Sequence, residues 1–422
     1  MNMGWVDYSR QERETIKELI KMLGETTALD ELGVGIIRDS ISDLLYPGLS
    51  VLHTRAKYYV LIPALFHKAL QGNLTTAGEV RRQIDGDQDE IARALRQVID
   101  EQTQTKFKGI IGGRSDRPVK MKPVRIYWNA LRTTGILRNP KLSYDDACHL
   151  VANYNKNHQN LSVKKAATGA NRDDMLGGDA GYVAQQSLDL FTIPCCQGLD
   201  EFLQQATLYL TKEEAKYLYQ GFLQAPIMKD TLLEYCLQQR KAYQGVSLAD
   251  MLEILKKDSK VSQKLRDHLT LAVEFADFIY GAYVVYRLMY WDNGGPDADG
   301  EQLEYLQEEY ADWRARMKQL PSEERLESLW KILALVPGRD HYKASVQQFL
   351  RQFNEAVSRN PSKTVCSPQE KKIIREREIS CKKDKAKLGK KKYPYQLIHE
   401  APMNYRHYIA QVIIDDIVKG LV

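Results

Sequence analysis

From Asp30 onward, Leu32, Ile36, Ile37, Ile41, Leu44 and Leu45 recur at spacings of three and four. Only a helix, with its period of about 3.6 residues, gathers such positions onto one face. The stripe stops at Pro47-Gly48, a pair that breaks helices. The same periodicity fills most of the chain, and it predicts helices over 199–209, 213–223, 231–243, 248–256, 263–291, 301–320, 323–335, 342–358 and 402–421. N-cap signatures precede several apolar runs: Ser9-x-x-Glu12, Asp87-x-x-Glu90, Ser143-x-x-Asp146, Thr211-x-x-Glu214 and Ser247-x-x-Asp250. In such boxes the first side chain accepts from a backbone N–H three residues on, and the acid reaches back to the cap. A further run over 50–70 contains Pro63, expected to kink or interrupt it. The expected fold class is mainly α.

One stretch departs from this pattern. Around 75–138 the sequence predicts two short helices (77–84 and 87–101), a brief strand over 107–111, a Gly/Pro/basic loop over 112–123 and a helix over 124–137. That order fits a small α+β, winged-helix-like segment. With 422 residues the chain exceeds one ordinary core. The expected organisation is an N-terminal helical domain over 1–158 carrying that segment, a Gly-rich linker loop over 159–181, a helical domain over 182–360, and a basic segment with a final helix over 361–422.

The net charge of +5 conceals two concentrated basic segments. Lys106 to Arg138 holds nine Lys or Arg against Asp116 alone, and Lys371 to Lys392 holds eleven against three acids. Each is net +8, so the remainder of the chain carries −11. Segregated positive charge attracts polyanions, and each phosphate neutralised releases counterions. The candidate nucleic-acid contacts are Lys106, Lys108, Arg114, Arg117, Lys120, Lys122, Arg125 and Arg132 in the first segment. In the second they are Lys382, Lys383, Lys390, Lys391 and Lys392. Tyr127 and Trp128 lie among the first set, where aromatics serve base stacking or groove insertion, or else form a buried stripe with Leu131. The first half of the second segment reads as an exposed helix and its second half as a flexible basic arm.

A second constellation is polar. Asp39 and Asp43 lie one turn apart on the first helix, with Arg55 and Lys57 beyond it. Converging in a pocket, these four would suit phosphodiester or nucleotide chemistry; paired off, they would be a salt-bridge network packing helices. Searches for GxxxxGK[ST], GxGxxG, HExxH and GxSxG find nothing. The six cysteines at 148, 195, 196, 236, 366 and 381 contain no CxxC pair, so neither a metal site nor a cofactor is expected. The opening MNMGWVDYSRQERE is polar, so no secretory leader is expected either. Within 271–291, the most apolar long run, Glu274, Asp277 and Arg287 argue for a buried bundle helix over a membrane span. A cytoplasmic protein without a membrane partner follows as the expectation.

Several landmarks look like those of one family. They are Gly4-Trp5-Val6-Asp7-Tyr8-Ser9, DELGVGIIRD (30–39), PGLSVLHTRAKY (47–58), IYWNALRTTGI (126–136), Lys385 to Leu388, NYRHY (404–408) and DDIVKGL (415–421). Together they resemble an uncharacterised bacterial family of unknown function, often encoded near helicases and phospholipase-D-like proteins in phage-defence islands. The resemblance transfers no catalytic residue; it implies a DNA-directed accessory role. The function expected is therefore a non-catalytic nucleic-acid-binding subunit of an anti-phage defence system, acting on DNA with a helicase or nuclease. The alternatives are an enzyme built on Asp39, Asp43, Arg55 and Lys57, and a protein-binding scaffold.

Overall fold

The computed structural model describes residues 30–113, 118–168, 188–193, 198–292, 300–317, 321–336, 343–388 and 401–422. Ser9 with its cap signature, and most of the expected linker, lie outside them. Among the described residues the protein is mainly α: fifteen α-helices and one minimal two-stranded sheet. The chain divides into two units that interleave in sequence, Met1–Leu45 with Val246–His407, and Tyr46–Gly245 with Tyr408–Val422. Composition alone predicts consecutive domains; contacts group the segments otherwise.

In the first unit, α1 (Gly35–Leu45) buries Ile37, Ile41 and Leu45 of the sequence's stripe, whereas Ile36 is exposed and Leu44 half-buried. It packs on α10 (Gln263–Asp292), which is also contacted by α9 (Leu248–Lys257), α11 (Gly300–Arg316) and α14 (Pro368–Lys382). Helix α10 is long and apolar enough to cross a membrane, but 72% of its most apolar window is buried inside the protein. Arg287, further along the same helix, pairs with Glu309 at 2.8 Å, which allows a cation into this core. Gly281 faces the Trp313 ring so closely that any Cβ would overlap it. Helices α12 (Glu323–Leu333) and α13 (Ala344–Arg359) complete the unit.

In the second unit, α2 (Tyr58–Gln71) is central and buried from Tyr58 to Phe66. It runs through Pro63 without the interruption that was one of the two expected outcomes. A helix enclosed on every side draws its stability from packing, which outweighs one missing backbone donor. Around it stand α3 (Ala77–Gln97), α4 (Pro123–Thr133), α5 (Tyr144–Thr168) and α6 (Leu199–Gln204), followed by α7 (Lys212–Gln224) and α8 (Leu232–Gln238). Helix α15 (His407–Gly420) begins at the last residue of the first unit and runs into the second. There Gly420 lies close against Leu210 and Ala215. Each Leu, Ile, Val or Phe buried in these cores contributes about 1.5–3 kcal/mol.

Four local expectations are corrected. The two helices predicted over 77–101 are one, α3, capped by Thr76 and Glu79. Asp87 is no cap: it is buried mid-helix, accepting from Gln83 at 3.0 Å and Lys68 at 3.1 Å. The strand predicted over 107–111 is a turn. The pairing falls just before it, between β1 (Ile99–Asp100) and β2 (Thr105–Lys106). Finally, α5 continues to Thr168, into the stretch expected as a loop, because the first glycine there is Gly169.

Candidate nucleic-acid interface

The first basic segment belongs to the second unit, and its geometry begins with Tyr127 on α4. The Tyr127 ring stacks on His53 at 4.1 Å and is fully buried. Its hydroxyl accepts from the N–H groups of Thr54 (2.9 Å) and Arg55 (3.1 Å) and donates to the Arg55 carbonyl (3.0 Å). Burial pushes this hydroxyl well above the ordinary tyrosine range, so it stays protonated and able to donate. The 54–55 backbone is thereby fixed. Arg55 Nε reaches both carboxylate oxygens of Asp416, at 3.0 and 2.9 Å, and Ala56 N–H donates to the same group at 2.8 Å. Burial raises the Asp416 carboxyl above its usual range, against the pull of Arg55.

Arg55 also donates through Nη1 to the carbonyl of Lys108 at 3.3 Å, and Gly109 (φ +88°) passes so close that a Cβ would meet the Arg55 stem. Tyr58 Oη accepts from Ile111 N–H at 2.9 Å, and Arg96 donates to the Gly112 carbonyl at 3.0 Å. On the hairpin itself, Asp100 accepts from Tyr209 Oη (2.7 Å), Thr103 Oγ1 (2.9 Å) and Gln102 N–H (3.0 Å). Burial works against ionising Asp100, but these donors outweigh it and hold its carboxyl below the usual range. Phe107 packs edge-on against Tyr209 at 5.5 Å. The segment from Ile99 to Gly112 is thus pinned along its length.

What this platform presents to solvent is Lys106 and Lys108, with Lys120 next to Val119, whose side chain lies against Gly112. All three are exposed, and none pairs with an acid among the described residues. The other predicted contacts are committed elsewhere. Lys122 pairs with Asp89, Arg125 lies over the Tyr144 ring at 5.1 Å, and Arg132 donates to the Pro140 carbonyl at 2.6 Å. Arg114 and Arg117 lie outside the described residues. Tyr127 and Trp128 are core, as one of the two sequence readings has them.

The second basic segment is less exposed than expected. Helix α14, with its Ser367–Glu370 capping box, buries Ile373, Ile374, Arg377 and Glu378. Arg377 donates to the carbonyls of Leu32 (2.7 Å) and Gly33 (3.2 Å). Glu378 accepts from Tyr286 Oη (2.8 Å) and from the N–H groups of Lys387 (2.8 Å) and Leu388 (2.9 Å). The expected free arm is therefore tied down as far as Leu388, because a buried carboxylate needs donors and the chain beyond the helix supplies them. Lys383 and Lys385 remain exposed, Lys382 is half-buried, and Lys390, Lys391 and Lys392 lie outside the described residues.

Asp39, Asp43, Arg55 and Lys57 do not pair with one another. Arg406 takes Asp43 at 2.8 Å and Asp39 at 3.4 Å in the first unit. In the second, Arg55 takes Asp416, and Lys57 forms a sealed pair with Glu214, at 2.7 Å, under the ring of Phe202. They are salt-bridged, but to other partners and not as a network among themselves. Among the described residues no group of three or more His, Cys, Asp or Glu could hold a metal. An open polar groove of about 450 Å³ runs between α13 and α14, where Arg359 pairs with Glu355 and Lys372 with Glu376. Sequence patterns missed Asp100, Tyr209, Arg96 and Asp416; the one available signal was the run of turn-forming polar residues after Asp100.

Residues 1–159 match the model of a family of unknown function, DUF6361. Neither the curated proteins nor the solved structures contain a match to this chain.

Proposed function

We propose that this protein is a non-catalytic nucleic-acid-binding accessory subunit, acting on DNA in the cytoplasm with a helicase or nuclease of a bacterial anti-phage system. The observation that carries the proposal is the set Lys106, Lys108 and Lys120, exposed and unpaired among the described residues. The first two stand on a backbone fixed by Arg55, Tyr58 and Tyr209. A backbone already fixed does not have to be ordered when the lysines meet phosphates, so only their side chains lose freedom on binding. The defence setting rests on the family resemblance of the sequence landmarks. Because Asp39, Asp43, Arg55 and Lys57 are each neutralised by another partner, they lend no support to an enzyme.

The test is fluorescence anisotropy of labelled DNA and RNA across a salt titration, with the intact protein. The expected result is salt-sensitive binding that weakens when Lys106, Lys108 and Lys120 become alanine. Absence of binding near 100 mM salt, roughly where basic contacts still act strongly, contradicts the proposal and turns attention to a protein-binding scaffold.

A further inference from the structure

The aromatic residues around the three lysines carry a further inference, which rests on the nucleic-acid reading above. Proteins that hold single strands stack bases on exposed aromatic faces. Here Phe107 is 7% exposed, Trp128 6%, Tyr58 2% and Tyr127 not at all. The Tyr58 and Tyr127 hydroxyls are moreover occupied with backbone groups. The platform beneath the lysines offers no stacking surface from these four rings.

What the hairpin does offer is different. Ile99 lies directly opposite Lys106 in the antiparallel pair, and opposed residues share a face. Ile99 is 61% exposed, whereas Asp100, on the other face, is 4% exposed and turned into the body. An apolar side chain and a cation therefore stand together on the outer face. Glu101, Gln102, Thr103 and Gln104 form the exposed tip. Gln104 spends its amide on the Glu101 carbonyl and Thr103 its hydroxyl on Asp100. An acid at the tip is repelled by phosphates but can accept from the amino group of cytosine. A glutamine side chain suits adenine, and an apolar side chain suits the thymine methyl group.

We propose that the Ile99–Lys106 hairpin enters the major groove of a B-form DNA duplex, with Lys106, Lys108 and Lys120 on the flanking phosphates. A major groove about 12 Å wide admits a two-stranded ribbon, whereas the deep, narrow major groove of A-form RNA does not. The Tyr209 bond holds the hairpin at Asp100, and the Arg55 and Tyr58 bonds fix the chain that follows it at Lys108 and Ile111, before DNA arrives.

The experiment compares the full-length protein on a short DNA duplex, on each of its single strands and on the RNA duplex of the same sequence. An Ile99→Glu variant is measured alongside, with its thermal melt. The DNA duplex should bind tightest, by about tenfold or more, and Ile99→Glu should weaken it by about tenfold while melting as the parent does. Dimethyl sulfate protection of guanine N7 in the bound duplex, read with the unaltered protein, should appear, since that atom lines the major groove. Single strands or RNA duplex bound as tightly as DNA duplex, or bound DNA with N7 unprotected, overturns the hairpin assignment and leaves the nucleic-acid reading standing. Binding to none of the probes overturns both.

Discussion

Tyr209 Oη lies 2.7 Å from Asp100 Oδ1, and this bond fastens the β1–β2 hairpin to the body of its unit. Burial, with the Asp100 carboxylate, pushes the Tyr209 hydroxyl up to about 12, so near neutral pH it is a donor facing a carboxylate. Hydrogen bonds to charged groups contribute about 1.5–3 kcal/mol. Tyr209→Phe should therefore raise the rate of amide hydrogen exchange across Ile99–Lys106 by about tenfold to a hundredfold, with the rest of the unit unchanged. Unaltered exchange in the hairpin would show that Phe107 packing and the Arg55 contact hold it without Tyr209.

The Lys57–Glu214 pair makes a stability prediction. Both side chains are about 1% exposed, with Nζ 2.8 and 2.7 Å from the two carboxylate oxygens. Breaking such a pair from one side strands a buried charge and costs about 3–5 kcal/mol. Lys57→Met should show that loss in denaturant unfolding. Lys57→Met with Glu214→Gln should recover part of it, since the amide oxygen can still accept from Thr211 N–H as Glu214 does. A single variant as stable as the parent would contradict the pairing.

His407 makes a prediction about pH. Burial holds its imidazole below the usual histidine range, outweighing the opposite pull of the Val246 carbonyl at 2.9 Å. The unfolded chain thus takes up this proton at a higher pH than the folded one. Stability from the neutral ring is fully present above pH about 6.5 and falls as pH drops through the range below it. Replacing His407 with Gln keeps a donor for Val246 and removes the titration. Between pH 7.5 and 5.5 the parent should lose more stability than His407→Gln does; equal losses would contradict the assignment.

Helices were legible because amphipathic periodicity and caps act locally. The Thr211 and Ser247 caps stand where the sequence puts them, and α9 starts at its predicted residue. The failures share a different cause. Asp87 resembles a cap in sequence, yet Gln83 and Lys68 satisfy it inside a helix. KKIIRERE looks solvated by composition, but Arg377 and Glu378 find backbone partners at Leu32 and Leu388, far along the chain or beyond the helix end. Asp39, Asp43, Arg55 and Lys57 look like a site because their neighbours in sequence are visible and Arg406, Asp416 and Glu214 are not. Spatial pairing of charges is information that periodicity does not hold.

The measurement that tests the account most directly is the salt dependence of DNA-duplex affinity, for the parent and for the variant with Lys106, Lys108 and Lys120 all alanine. If each lysine neutralises one phosphate, the slope of log affinity against log salt should fall by about 2.7, at about 0.9 per contact. The melting behaviour should stay that of the parent, because all three side chains are exposed. A variant that binds with the parent's affinity and the parent's slope would contradict the assignment of this surface to nucleic acid.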